Sequence, residues 1–573
     1  MIDPRKYGIR LRHIIIAAAF VLALTQYVAN KSLWVDDARV ALNLMETPHA
    51  GLAKELRYNQ SAPVVFLQLE KLLLRAVPDS EYGMKFLPFV SFLAAIFLFG
   101  KIARTLLKNE CAADAALAVF AFNSAMLFYS SEIKQYSSDA ALALLLFWLA
   151  LRPWKNELVK LRVLGGAGAA SVFCSNTAPL ALAAAGLWLA FDTLKTGFDL
   201  RKTKRLAVLA VVWLFAFGAY WDAFVPPPES FIRRYMEWYW DVTNPAFVFS
   251  HGLKRAPMLL VRQSGAFLAF YFGNPVAAGF AVLLASAGFV AAVKSKNARV
   301  LFFTALPFVL HFIASSAKIY PFAQRFLVWC FPGFVILAAL PLDMLLTRAE
   351  GCGRTARRLA AFVCAALVTA ALAMALADFP VAARQESKPT ILRAIENAEP
   401  ENVRVVVMSQ ACYAFEYYAR IGLVPETVLA KSAGIGWDEG AGRPGEMRLR
   451  ASGERFADLK GLCWILTVSV DSEGLRFIPQ HSRHKGPDSF AKLEKKLFSK
   501  NMADMRDTDG FREREGLWKY TREGFVGMKT EPAQNESADS RNDGLPFLLP
   551  PGARLKERFD ANGAGAYLVD FGD

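Results

Sequence analysis

Several familiar signatures are missing from this 573-residue sequence. Its seven cysteines are scattered and contain no C-x-x-C pair, so neither a zinc ribbon nor a thiol redox motif is supported. Cys412 and Cys463 either pair outside the cell or stay as buried thiols. No G-x-G-x-x-G follows the first strand-like run of the C-terminal part, which leaves cofactor binding there without support. No A-x-A-like site follows the first apolar run, and Lys31-Ser32-Leu33-Trp34 continues without a break. That run therefore reads as a retained span rather than a cleaved signal. There is no internal repeat. An excess of basic residues is also absent from the C-terminal third: from Phe379 onward 28 Lys and Arg face 29 Asp and Glu, a net of −1.

What is present is apolar and basic. Hydrophobic residues make up 54% of the chain, with 45 Phe and 12 Trp, and the mean hydropathy is +0.27. Yet 20% of residues are charged and the net charge is +15. The first 378 residues hold 38 basic and 22 acidic residues, a net of +16, so all of the excess lies in the apolar part. A basic nucleic-acid-binding tail is thereby disfavoured. Membrane spans separated by charged loops accommodate both properties.

Apolar runs fall near 13–29, 84–103, 111–129, 136–151, 160–175, 177–193, 206–223, 275–293, 299–316, 322–345 and 359–378. Alternate connections carry the basic clusters, among them Lys101, Arg104 and Lys108; Arg152, Lys155, Lys160 and Arg162; and Arg348, Arg354, Arg357 and Arg358. With about 11 transmembrane helices, the positive-inside rule places these clusters and the N-terminus in the cytoplasm and everything after residue 378 outside. The expected fold is an α-helical polytopic membrane protein with a small C-terminal α/β domain. Residues 1–380 form the membrane domain, 381–526 the outer domain, and 527–573 a polar, flexible tail.

In the outer domain, 403–408 and 462–470 read as strands, with a third at 517–521. Helices are expected near 388–397, 412–420, 444–459 and 488–499, and disorder over 528–545. The first outer loop, 30–83, reads as a short helix from Ala38 to Glu46 and an interfacial helix from Pro63 to Val77. The outer segment 224–274 mixes Arg233, Arg234, Tyr235, Trp238, Tyr239 and Trp240, a headgroup-level composition.

Three polar constellations lie on the outer face. The first is Trp34-Val35-Asp36-Asp37-Ala38. An aspartate before Ala38 reads either as a helix cap or as a general base or metal ligand. Consecutive helical residues point about 100° apart, so the two carboxylates have different tasks. The second is Tyr129-Ser130-Ser131-Glu132-Ile133-Lys134-Gln135-Tyr136-Ser137. There Glu132 and Lys134 either make a surface ion pair or serve a site. The third is Lys318-Ile319-Tyr320-Pro321-Phe322-Ala323-Gln324-Arg325, whose Arg325 either snorkels to headgroups or meets an anion. Tyr136 and Tyr320 also suit an interfacial aromatic belt. Cations at this depth suit a lipid phosphate, and a nearby carboxylate suits deprotonation of an attacking hydroxyl.

These motifs, with Asn59-Gln60-Ser61-Ala62-Pro63, resemble the outer loops of the GT-C glycosyltransferases. More narrowly, they are similar to a bacterial branch near the protein O-mannosyltransferases and lipid A aminoarabinose transferases. That branch shows W-x-D-E-A, an amide before Pro-Pro, Y-S-x-E-x-K-x-Y and Y-P-F-x-x-R. This chain has Asp37 in place of Glu, Val64 in place of the second Pro, and an extra Ser131. The resemblance covers about residues 10–380. It implies transfer of a sugar from a polyprenyl-phosphate donor to a glycolipid, polysaccharide or protein, at the periplasmic face of a bacterial inner membrane. It implies Asp36 as general base and Asp37 as an orienting residue, a cap or the ligand of a divalent metal. Lys134 and Arg325 would hold the donor phosphate, with Gln60, Glu132, Tyr136, Lys318 and Tyr320 positioning substrate. The competing readings are a transporter or lipid flippase and a membrane scaffold. Polar clusters at span ends, without repeated halves, argue against the transporter.

Overall fold

The computed structural model describes residues 10–435, 449–451, 459–468 and 553–572, apart from 55, 79, 198, 244, 250–251, 350–353, 378, 382–386, 402, 409–410 and 562–563. Each of the eleven apolar runs contains helix, although 322–345 is irregular up to Leu327 and becomes helical only from Val328. The helices are α1 (Leu11–Val28), α4 (Glu81–Leu106), α5 (Glu110–Ala121), α6 (Ser124–Tyr129), α7 (Tyr136–Leu151), α8 (Glu157–Cys174), α9 (Ala178–Lys195), α10 (Leu200–Phe224), α13 (Pro275–Lys294), α14 (Ala298–Thr304), α15 (Leu306–Ser316), α16 (Phe331–Ala349) and α17 (Arg354–Ala377). Between them stand α2 (Val35–Glu46) and α3 (Val64–Ala76) in the first loop, and α11 (Phe231–Trp238) and α12 (Ala256–Phe272) in the segment 224–274. Helix α12 was not anticipated.

Among the described residues six helices are long and apolar enough to cross a membrane, or seven if α14 and α15, bent by 41°, form one span. The other expected spans are shorter, broken or more polar helices. Run 111–129 breaks because the Asn123 side chain accepts from the backbone N–H groups of Ala125 and Met126 and so caps α6. Asn109, Asn156, Asp199 and Asn274 start α5, α8, α10 and α13 in the same way. Helices α13 and α16 approach closely at Gly288, where a Cβ would collide with the Leu337 carbonyl. Large apolar side chains point outward, including Phe215 on α10, Leu283 on α13 and Phe362 on α17. That is the exterior a hydrocarbon solvent calls for.

The C-terminal domain comprises α18 (Ser387–Glu401), β1 (Arg404–Met408), α19 (Ala411–Arg420), α20 (Glu426–Leu429), β2 (Ala433–Ile435), β3 (Arg450–Ala451), β4 (Leu462–Val468), β5 (Arg554–Ala561) and β6 (Ala564–Asp570). Its sheet has the order β3-β2-β1-β4-β6-β5. The first four are parallel, with Val406 opposite Ile465, and β6 runs antiparallel to β4, with Trp464 opposite Leu568. Two expectations are corrected here. The helix over 444–459 is replaced, where described, by strand β3 at Arg450–Ala451. The flexible tail over 527–573 instead ends in β5 and β6: the polar composition of 528–545 does not extend to Ala564-Gly565-Ala566-Tyr567-Leu568-Val569, whose side chains fill the sheet's core. The helix at 488–499, the strand at 517–521 and the disorder at 528–545 lie outside the described residues. Cys412 and Cys463 are buried thiols that donate to the carbonyls of Val407 and Lys460.

The domain does not hang apart from the membrane bundle. Leu33, Ala38, Ala41, Leu42 and Leu44 of the first loop share one hydrophobic core with Phe415 and Tyr418 of α19 and with Val405 and Trp464 of the sheet. Leu33 N–H donates to the Tyr418 hydroxyl, Ser387 Oγ donates to the Leu33 carbonyl, and Lys388 pairs with Glu81 at 2.8 Å. The first loop is thus sandwiched between bundle and sheet.

Candidate functional site

Helix α2 presents the two aspartates. It starts at Val35 behind Trp34, so neither Asp36 nor Asp37 is the cap; both sit in the first turn, at the positive end of the helix dipole. Their 100° separation turns them into different compartments.

Asp36 faces cations. Arg325 Nη1 donates to its Oδ2 at 3.3 Å, Arg39 Nη1 lies 3.7 Å from its Oδ1, and Gln60 Nε2 donates to Oδ1 at 3.3 Å. Lys134 Nζ donates to the other end of the same amide, Gln60 Oε1, at 2.6 Å. The amide orientation therefore follows from its neighbours, oxygen toward the ammonium and nitrogen toward the carboxylate. Burial pushes the Asp36 carboxyl up, but Lys134, Arg325, Arg39 and the Gln60 hydrogen bond outweigh it and hold it at about 2. Burial also lowers Lys134, against the pull of Asp36 and Asp37.

The turn that delivers Gln60 is forced. Tyr58 and Asn59 both adopt left-handed backbone, at φ 61° and 54°. Asn43 of α2 clamps the turn through both backbone groups of Arg57, and the Tyr58 hydroxyl donates to Glu46 at 2.7 Å. Arg325 is steadied by the ring of Trp240, 4.8 Å from its guanidinium carbon.

Asp37 faces acids. It is buried and hydrogen-bonded to Glu132, which pairs with Lys31 at 2.6 Å; Lys31 also lies 3.6 Å above the Phe128 ring. Burial first, then Glu132, raises Asp37 well above the ordinary carboxyl range, against the pull of Lys134 and Lys31. Glu70 of α3 is buried nearby, its carboxyl oxygens without hydrogen-bond partners, and is likewise raised by burial and by Asp37. Both carboxyls therefore hold a proton more tightly than an exposed acid does.

The residues named from sequence thus divide. Asp36, Gln60, Lys134 and Arg325 converge. Glu132 joins Asp37 in the other compartment, so no Glu132–Lys134 surface pair forms. Tyr136 packs on Tyr129, at 4.7 Å between ring centroids, and on Phe326; Tyr320 packs on Phe326 and His311. Trp329 donates to His311 Nδ1, so its Nε2–H donates to the Pro321 carbonyl and pins the Tyr-Pro-Phe turn. Lys318 is half-exposed and turned to Asp241, 3.1 Å away, rather than toward Asp36.

Arg39, Lys31, Glu70 and Trp240 escaped sequence reading. Only Arg39 carried a signal, its i,i+3 spacing from Asp36. A divalent metal at Asp37 does not fit these neighbours. Among the described residues no three His, Cys, Asp or Glu side chains converge with ligand geometry, and Asp37 already lies beside two ammonium groups.

No protein-family model matches the chain, and no curated protein matches it in sequence. Solved structures do. The oligosaccharyltransferase of Archaeoglobus fulgidus, in complex with Zn and sulfate, matches at 13% identity with a TM-score of 0.45, over 73% of this chain and 62% of that one. This chain thus spans less than two thirds of the archaeal protein's length. ArnT from Cupriavidus metallidurans, bound to undecaprenyl phosphate, matches at 14% identity with a TM-score of 0.46, over 79% of this chain and 92% of that one.

Proposed function

We propose that this chain transfers a sugar from a polyprenyl-phosphate donor to an acceptor hydroxyl at the outer face of a bacterial inner membrane. The observation that carries the reading is the Asp36 compartment, a lone carboxylate held among Arg39, Arg325 and Lys134. Its cations suit a phosphate, and its carboxylate suits an attacking hydroxyl. With no substrate present, Asp36 occupies the cations that a donor phosphate would take. Once Lys134 and Arg325 turn to the phosphate, Asp36 loses compensation and its proton affinity rises. It then accepts the acceptor's proton as the new bond forms from the acceptor oxygen to the anomeric carbon. The bond from that carbon to the phosphate oxygen breaks, and polyprenyl phosphate leaves with its charge stabilised by Lys134 and Arg325. Direct displacement inverts the anomeric centre.

Gln60 couples the two events, since one amide touches both the phosphate-binding Lys134 and the base. Tyr136 and Tyr320 wall the site beside Arg325 through Phe326. Glu132 and Asp37 support the loop from beneath. The test is transfer from a polyprenyl-phosphate-linked sugar in proteoliposomes. The Asp36→Asn variant should lose it, and transfer at the unmodified rate would refute the base assignment. Glycolipid and glycoprotein profiles of a deletion strain would identify the acceptor.

A further inference from the structure

The C-terminal domain has no part in the chemistry just described, yet one of its side chains reaches the site. Tyr413, on α19, is buried; its ring lies 4.5 Å from the guanidinium carbon of Arg39 and meets Tyr58 edge-on at 5.5 Å. Arg39 is the partner of Asp36, and Tyr58 precedes Gln60 by two residues. One aromatic ring thus touches two of the segments that build the Asp36 compartment. Helix α19 is held there by charge. Arg420 spans Glu416 of its own helix, at 2.6 Å, and Glu46 of α2, at 2.8 Å. Glu46 also receives Arg57 and the Tyr58 hydroxyl, and Glu416 accepts from Leu449 N–H.

We propose that Tyr413 is a positioning residue supplied by the C-terminal domain, its ring holding the Arg39 guanidinium beside Asp36. A long, flexible guanidinium side chain has many rotamers, and the face of an aromatic ring selects among them. The site is then complete only when the outer domain is docked. The consequence for transfer rests on Asp36 as the base, but the contact can be tested without it.

The test replaces Asp36 by cysteine in the full chain and follows alkylation of that thiol by iodoacetamide against pH, with the site located by peptide mass spectrometry. The thiol reports the groups that face position 36: Arg39, Arg325, Lys134 and Gln60. Loss of a neighbouring cation raises its midpoint. In this background Tyr413→Leu should raise the midpoint by about half a pH unit, slowing alkylation at neutral pH about threefold. Tyr413→Phe, which keeps the ring but loses the hydroxyl that hydrogen-bonds Arg39, should raise it by less than Tyr413→Leu does. Arg39→Gln should raise it at least as far, and adding Tyr413→Leu to Arg39→Gln should do nothing more. If Tyr413→Leu yields no folded protein, Tyr413→Met takes its place. An unchanged midpoint in the ringless variant, or an equal further shift on top of Arg39→Gln, overturns the proposal. Failure of the base assignment would appear separately, as transfer by Asp36→Asn.

Discussion

On one side of α2 a carboxylate meets two guanidinium groups, an amide and, through that amide, an ammonium. One residue later, on the other side, a carboxyl meets Glu132 and Glu70, and burial and Glu132 raise its proton affinity. The two aspartates have the same chemistry and adjacent backbone, so the contrast comes from what packs against each face of the helix. The cationic side is assembled from distant segments of the chain. The acidic side is packed by α3 and by the loop around Glu132, with Lys31 as its counter-charge. A carboxylate among cations suits a reaction; an acid that holds its proton tightly suits support.

The largest expected break in this contrast is in transfer itself. Asp36→Asn should lower the rate by roughly 10²–10⁴-fold, the usual scale of a lost general base, measured in proteoliposomes. Asp37→Asn, which can still donate to Glu132, should stay within about tenfold of the unmodified protein. Next come the cations. Lys134→Ala and Arg325→Ala should each weaken binding of undecaprenyl phosphate by about tenfold to a hundredfold, read by native mass spectrometry against undecaprenol as the uncharged control.

Smaller, and opposite in sign for the two aspartates, are the effects of pH on stability. Asp36 is held below its unfolded value, so its contribution is present above about pH 4 and is lost as pH falls toward about 2. Asp37 is held above its unfolded value, so between those two values the unfolded chain releases a proton that the folded chain keeps. Stability therefore declines as pH rises through that window. Thermal unfolding at stepped pH should show the decline, and Asp37→Asn should flatten it. The smallest effect belongs to Lys318→Ala, which removes a half-exposed ion pair and should change stability by less than about 1 kcal/mol in a denaturant titration.

Much of this arrangement was legible beforehand. Apolar runs mark helices, because a segment surrounded by hydrocarbon must satisfy its own backbone, and all eleven runs contain helix. Their number as crossings was not legible, since a single side chain such as Asn123 can end a helix inside an apolar run. In the outer domain β1 and β4 announced themselves as β-branched runs. β5 did not, because Arg554-Leu555-Lys556-Glu557-Arg558 has the charged composition of a tail while serving as an edge strand. At the site, motif order picked out Asp36, Gln60, Lys134 and Arg325. It could not reveal that Glu132 and Lys134, two residues apart, point into separate compartments, nor that Tyr413 lies against α2. Those are long-range contacts, and local sequence carries no trace of them.

The core shared by α2 and α19 also imposes an order in time. Helix α2 leaves the ribosome long before α19, and the strands that complete the sheet come later still. Until then the apolar face formed by Leu33, Ala41 and Leu44 lacks the part of its core that α19 and the sheet supply, and Arg39 has no Tyr413 ring to rest on. The nascent protein can insert its helices and display its outer motifs while remaining inert. Maturation of the first loop therefore waits for the C-terminal domain to fold against it.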